Sequence, residues 1–208
     1  MDIQFFGANC VVLTCKGARF VIDDNLAALG AKAVTKAGDI ALFTGPHDLP
    51  AVEAKLIIDH PGEYEVADIS IYGIPARAHL DEADTSNATM FKLMTSDLTV
   101  AVLGHVYPEL NDDQLEQLGI VDVLIVPVGG NGYTLDPIGA LKLIKTIEPK
   151  LVIPTHYDDS NLKFPVPQQP LAEALKTLAM EPRETTAKLR VKAAELTDVT
   201  QLVVLERS

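Results

Sequence analysis

Five histidines occur in the chain, and four of them fall at the same kind of place. His47, His79, His105 and His156 each stand just beyond a short apolar run of strand character, at residues 39–43, 69–74, 98–103 and 151–154 respectively. One edge of a sheet system could therefore collect four imidazoles. Imidazole is both a proton carrier near neutral pH and the commonest side-chain metal ligand, so such a gathering points to acid–base or metal chemistry. For any one histidine alone, the plain reading is a loop residue hydrogen-bonded to backbone or water. His60, before Pro61, lies outside the pattern and reads as a loop histidine of that kind.

The element that must deliver His156 is the clearest in the chain. Residues 121–128 form an almost unbroken branched-apolar run, the pattern of a strand buried on both faces. Gly129, Gly130 and Gly132 make a turn, Asp136 and Pro137 supply an N-cap and a first helical residue, and Pro149 stops the helix. Residues 151–154 give the next strand. Strand, helix, strand of this length predicts a parallel crossover, and ligands gather beyond the carboxyl ends of such strands. The glycine turn follows a strand and precedes a helix, as a phosphate cradle would, but Asp136 at the helix start disfavours an anion, so it reads as an ordinary turn.

The rest of the chain begins as a β-meander at 3–6, 10–15 and 19–22, with Asp23 where the third strand ends. Further strands are expected at 39–43, 55–58, 63–66 and 69–74, then a hairpin of 89–94 with 98–103. Asn111 and Gln114 open a short helix that Gly119 ends. A last amphipathic helix is expected over 167–180, with closing strands at 188–196 and 201–206. Residues 1–208 read as a single domain, large enough for a sizeable core.

Lysine and arginine number 17 against 29 acidic residues, a formal charge of −12 that argues against nucleic acid and anionic membranes as partners. No apolar run reaches the roughly 20 residues needed to span a bilayer, and the expected compartment is the cytoplasm. Cys10 and Cys15 lie on one expected strand, facing opposite sides, and read as reduced thiols. No Gly-x-Ser-x-Gly elbow, phosphate-loop motif or dinucleotide fingerprint is present.

Several stretches resemble the metallo-β-lactamase superfamily, and within it the zinc-dependent hydrolases related to ascorbate-6-phosphate lactonase. They are Pro61-Gly62-Glu63-Tyr64-Glu65-Val66, Tyr72-Gly73-Ile74-Pro75, DDQLEQLGIVD at 112–122, PVGG at 127–130, TLD at 134–136 and EPKLVIPTHY at 148–157. The resemblance implies an α/β fold of four layers, αββα, in which two mixed sheets pack face to face with helices outside and the metal site lies at one edge between the sheets. It also implies a His-x-His-x-Asp-His metal loop, whereas here the loop reads Thr44-Gly45-Pro46-His47-Asp48-Leu49-Pro50. Gly45 replaces the first histidine, His47 keeps the second, Leu49 replaces the aspartate and Pro50 replaces the last histidine. His79 matches a later ligand, His105 occupies the place of the aspartate that bridges two metals, and His156 matches the final histidine. Ala8-Asn9 stands where the family shows histidine and serine, and Asp23 matches an aspartate that supports the metal loop, although a simple strand-end cap accounts for it equally.

Carried over, the resemblance implies metal ligands His47, His79, His105 and His156, at most one ion (zinc, or iron or manganese), and Asp48 as the catalytic carboxylate if the loop shifts by one residue. Three imidazoles and a water suffice for a catalytic zinc. The expected activity is hydrolysis of a small ester, lactone or phosphoester, with an oligomer left open. The competing expectation is a pseudoenzyme, a binding or scaffolding module that keeps the fold after losing its ligands.

Overall fold

The structure, a computed structural model, describes residues 1–48, 50 and 52–208. Fourteen strands fall into two sheets among these residues. β1 (Asp2–Gly7), β2 (Cys10–Cys15), β3 (Ala18–Ile22), β4 (Ile40–Leu42) and β5 (Leu56–Ile58) build most of the first. β6 (Gly62–Val66), β7 (Ile69–Ala76), β8 (Ala88–Met94), β9 (Thr99–Val102), β10 (Val123–Pro127) and β11 (Leu151–Thr155) build most of the second. β12 (Pro182–Thr186) and β14 (Gln201–Leu205) complete the second sheet, and β13 (Leu189–Arg190) returns to pair with β1. Strand order is β13-β1-β2-β3-β4-β5 in one sheet and β12-β14-β11-β10-β9-β8-β7-β6 in the other. Both are mixed: β1, β2 and β3 are antiparallel whereas β3, β4 and β5 are parallel, and β6 to β9 are antiparallel whereas β9, β10, β11, β14 and β12 are parallel.

Alternation along the strands decides which face each side chain covers. Phe5, Phe20 and Ile58 from the first sheet meet Phe91, Ile125 and Ile153 from the second in one core between the sheets. The opposite face of the second sheet is covered by α1 (Asp112–Leu118), α2 (Pro137–Ile147) and α3 (Leu171–Leu178). The outer face of the first sheet carries no α-helix among the described residues; Leu26, Leu29 and Val34 from a turn-rich segment and Leu162 from a later loop cover Cys10, Val12 and Val21 instead. The two mixed sheets with helices outside are those the motifs imply, with one outer layer made of turns.

Local chemistry explains most boundaries. Asn111 and Gln114 close a reciprocal capping box on α1, and the Asp136 carboxylate caps Gly139 N–H with Pro137 in the first turn of α2. β10 and β11 pair in parallel and are buried along their whole length, as the apolar runs require. α3 starts at Leu171 rather than at 167, because Pro167 and Pro170 disfavour a helical residue before each of them, and residues 165–170 run as a non-helical strap. The tail expected as a strand over 188–196 is split into β13 and a 3₁₀ turn (Ala193–Glu195), and β12 was not expected because Pro182–Thr186 is polar. Both cysteines are free, Cys10 among the outer apolar cluster and Cys15 against the core between the sheets. Among the described residues no helix is long and apolar enough to cross a membrane.

Candidate functional site

The loops that follow β1, β3, β4, β7, β9 and β11 line two adjoining clefts at one edge of the sandwich. One, about 720 Å³, is walled by His47, His79, His105 and Tyr133; the other, about 450 Å³, by Asn9, His47, His105, Tyr133, His156 and Phe164. All four strand-end histidines therefore reach this edge, with His47 and His105 shared between the clefts. His60 also borders the larger cleft, but its ring is 80% exposed and pairs with Asp59.

His156 is the most firmly placed. Its backbone turns into the left-handed region, φ 55°, and its N–H donates to Ala8 O at 2.8 Å, tying the end of β11 to the β1–β2 turn. A non-glycine residue in that region is uncommon and persists where its surroundings over-determine it. Thr155 Oγ1 donates to Asn9 Oδ1 at 3.0 Å, so the residue standing in place of a polar family position braces this same turn. The His156 ring is 3% exposed, lies edge to face against His105 with centroids 4.6 Å apart, and packs against Phe164 at 5.1 Å and Tyr133 at 5.7 Å.

His105 and His79 occupy adjacent loops, joined by a bond from His79 N–H to His105 O of 2.7 Å and by a β-bridge between Ala78 and Val106. Burial pushes the His105 ring down to about 3, reinforced by His156 and His79, and burial pushes His156 down to about 4 despite the hydrogen bond to Gln168 Oε1. The His105 and His156 rings thus lie in contact, and both are neutral at pH 7. The Nδ1 atoms of His79 and His105 are buried with no hydrogen-bond partner among the described residues.

His47 is held differently. Its ring stacks on Phe43, centroids 3.7 Å apart and 7° from parallel, and its Nε2 lies 3.7 Å from Asp59 Oδ2. Its loop starts from Thr44, whose N–H and Oγ1 donate to the two oxygens of Asp23 at 2.7 and 2.6 Å, while Thr44 O accepts from Thr89 N–H at 2.8 Å. Asp23 thus caps the strand end and supports the His47 loop at once. Burial pushes its carboxyl up to about 6, opposed by the two Thr44 bonds. Gly104, φ 64°, backs onto the same threonine, where a Cβ would lie 2.1 Å from Thr44 Oγ1. Asp48 is exposed at the rim of the smaller cleft. Leu49, which stands where the family has a metal-binding aspartate, lies outside the described residues.

Among the described residues no carboxylate enters the cluster as an evident ligand. Asp23 is committed to Thr44, Asp81 accepts from Ala78 and Asn87, and Asp59 faces His47 and His60. Among the described residues no three His, Cys, Asp or Glu side chains converge closely enough to cage an ion as they stand. The donors do not fit a two-ion centre; in kind, the imidazoles of His79, His105 and His156, the first two with an unpartnered buried nitrogen, fit a single ion.

Two contributors are not apparent from the sequence. Tyr133 follows the glycine turn and sets its ring against His105, centroids 5.1 Å apart. Gln168 sits in the proline-bounded strap and meets His156; reading 167–180 as helix hides it, and only the proline spacing hints otherwise.

Residues 2–156 match the family model of the beta-lactamase superfamily domain. The chain belongs to this superfamily. Over 99% of its length, and 98% of the other chain, the fold matches a Thermotoga maritima protein named as a Zn-dependent hydrolase of the metallo-beta-lactamase superfamily, with 26% identity and a TM-score of 0.76. A metallo hydrolase from Ignicoccus hospitalis shares the fold over 99% of this chain and 95% of its own, with 17% identity and a TM-score of 0.64. A metal-dependent hydrolase from Carboxydothermus hydrogenoformans is 46% identical over 44 residues, a stretch spanning 21% of this chain and 19% of that relative. The superfamily resemblance read from the motifs thus holds, and with it the metallo-β-lactamase fold.

Proposed function

We propose that the chain is a metal-dependent hydrolase of a small ester, lactone or phosphoester, with His79, His105 and His156 as ligands of at most one ion. Zinc, iron or manganese suits such imidazoles, and His47 is the fourth ligand within reach of the same cleft. The observation that carries the reading is the pair of buried, unpartnered Nδ1 atoms on His79 and His105, because a buried polar atom without a partner is costly unless something occupies it. A bound ion would lower the pKa of a coordinated water and polarise the substrate's oxygen. The chain's own contributions are distinct. His105 and His156 are held neutral and able to donate lone pairs, Tyr133 and Phe164 keep water from the His156 ring, and Asp48 is the nearby loop carboxylate free to take a proton. The free cysteines suit the reducing cytoplasm, where we place the protein.

Metal analysis of full-length protein purified without chelator tests this, alongside a His79→Ala/His105→Ala double variant and turnover of aryl ester, lactone and phosphodiester probes. Up to one equivalent of ion, lost in the variant, and chelator-sensitive turnover are expected; neither ion nor turnover in the parent sinks the reading. The lack of a ready three-donor cage among the described residues favours a second reading, a pseudoenzyme that uses the edge only for binding. On that reading, replacing His47, His79, His105 and His156 together leaves partner binding unchanged, and chelator-sensitive turnover overturns it.

A further inference from the structure

The strap at residues 165–170 lays one polar side chain against the best-placed histidine. Gln168 is 5% exposed, and its Oε1 lies 3.1 Å from His156 Nδ1. Its amide has one orientation only: Nε2 donates to Val166 O at 2.7 Å, so the atom facing the imidazole is the oxygen, which can only accept. The neighbouring backbone is pinned as well, since Gln169 N–H donates to Gly129 O at 2.8 Å and Asp158 N–H donates to Gln169 O at 2.9 Å. Gly129 leaves the room for this pair; a Cβ there would lie 2.0 Å from His156 O and 2.2 Å from Gln168 Oε1.

We propose that Gln168 is a positioning residue that holds His156 as its Nδ1–H tautomer, leaving Nε2 as the bare nitrogen on the side of the ring away from the strap. This rests on the reading of His156 as a ligand in the cleft, which requires that lone pair. A neutral imidazole has one donor and one acceptor nitrogen, and the hydrogen bond at one decides which role the other plays. With Nδ1–H fixed on Gln168, His156 accepts at Nε2.

The test uses metal-free, full-length protein labelled with ¹⁵N-histidine, read by long-range ¹H–¹⁵N correlation at pH 7.5. His156 is expected to show a protonated Nδ1 and a bare Nε2. Gln168→Leu removes the acceptor, and the signal should move to the Nε2–H pattern that imidazole favours in water; Gln168→Glu keeps an acceptor and should restore Nδ1–H. Zinc affinity of Gln168→Leu is expected to fall by about 10- to 100-fold. An Nε2–H tautomer in the parent, or an unchanged tautomer in Gln168→Leu, overturns the proposal. If Gln168→Leu does not fold, the parent and Gln168→Glu spectra decide alone. An Nδ1–H signal in a protein that binds no ion sinks the hydrolase reading and leaves this one standing, whereas ion binding with an Nε2–H signal does the reverse.

Discussion

His156 and His47 reach the same cleft from strands of different sheets and are held in opposite ways. His156 is fixed by its backbone bond to Ala8, by Gln168, and by the rings of His105, Tyr133 and Phe164. His47 rests on one ring stack and a 3.7 Å approach to Asp59, on a loop tethered through Thr44. The difference shows where order at this edge resides. A residue that ends a fully buried strand inherits the rigidity of the sheet, whereas a loop residue has only the contacts its neighbours provide. The loop whose ligand pattern departs most from the superfamily is also the less constrained one.

Acid should break the contrast most strongly. In the unfolded chain histidine titrates near 6.5, whereas burial holds His105 near 3 and His156 near 4 in the fold. The unfolded chain therefore binds more protons in between, so stability is complete above about pH 6.5 and is lost as pH falls towards these folded values, by about 3 kcal/mol or more. Asp23 works the other way: raised to about 6, its contribution is complete below about pH 4 and is lost as pH rises through 6. Two imidazoles outweigh one carboxyl, so urea unfolding of metal-free protein between pH 8 and 4.5 should show a net loss on acidification. Stability that stays level or rises would show that the rings are not desolvated as described.

A pair of glycine substitutions sharpens the comparison directly. Gly129→Ala, on the His156 side, places a Cβ into backbone and should destabilise by about 3 kcal/mol. Gly45→Ala, two residues before His47, meets nothing within 4 Å and should stay within about 0.5 kcal/mol of the parent. Equal effects in thermal or denaturant unfolding would remove the distinction between the two sides.

A loss smaller than that at Gly129 is expected at the tether. Thr44→Val keeps the shape and deletes the bond from Oγ1 to Asp23, a loss of about 1.5 kcal/mol, and should broaden the amide signals of His47 and Asp48 while leaving His156 unmoved. Broadening at His156 as well would mean that the two sides are coupled.

Much of this arrangement can be read directly from residues. Apolar runs at 121–128 and 151–154 require buried strands, capping residues at Asn111 and Asp136 open two helices, and four histidines after strands predict a shared edge that the clefts confirm. Polar β12 and the strap at 165–170 escape such reading, since neither carries a strong periodic signal and both take their course from a partner element.

Strand positions, helix starts and the delivery of imidazoles to one edge follow from local pattern, because burial and capping act between residues near in sequence. Which nitrogens are left free, which carboxylates are already occupied and how tightly each histidine is held were decided only by tertiary structure. Ala8, Gly129 and Gln168 all converge on His156, and Asp23 and Gly104 on Thr44, through contacts between segments that sequence spacing does not relate.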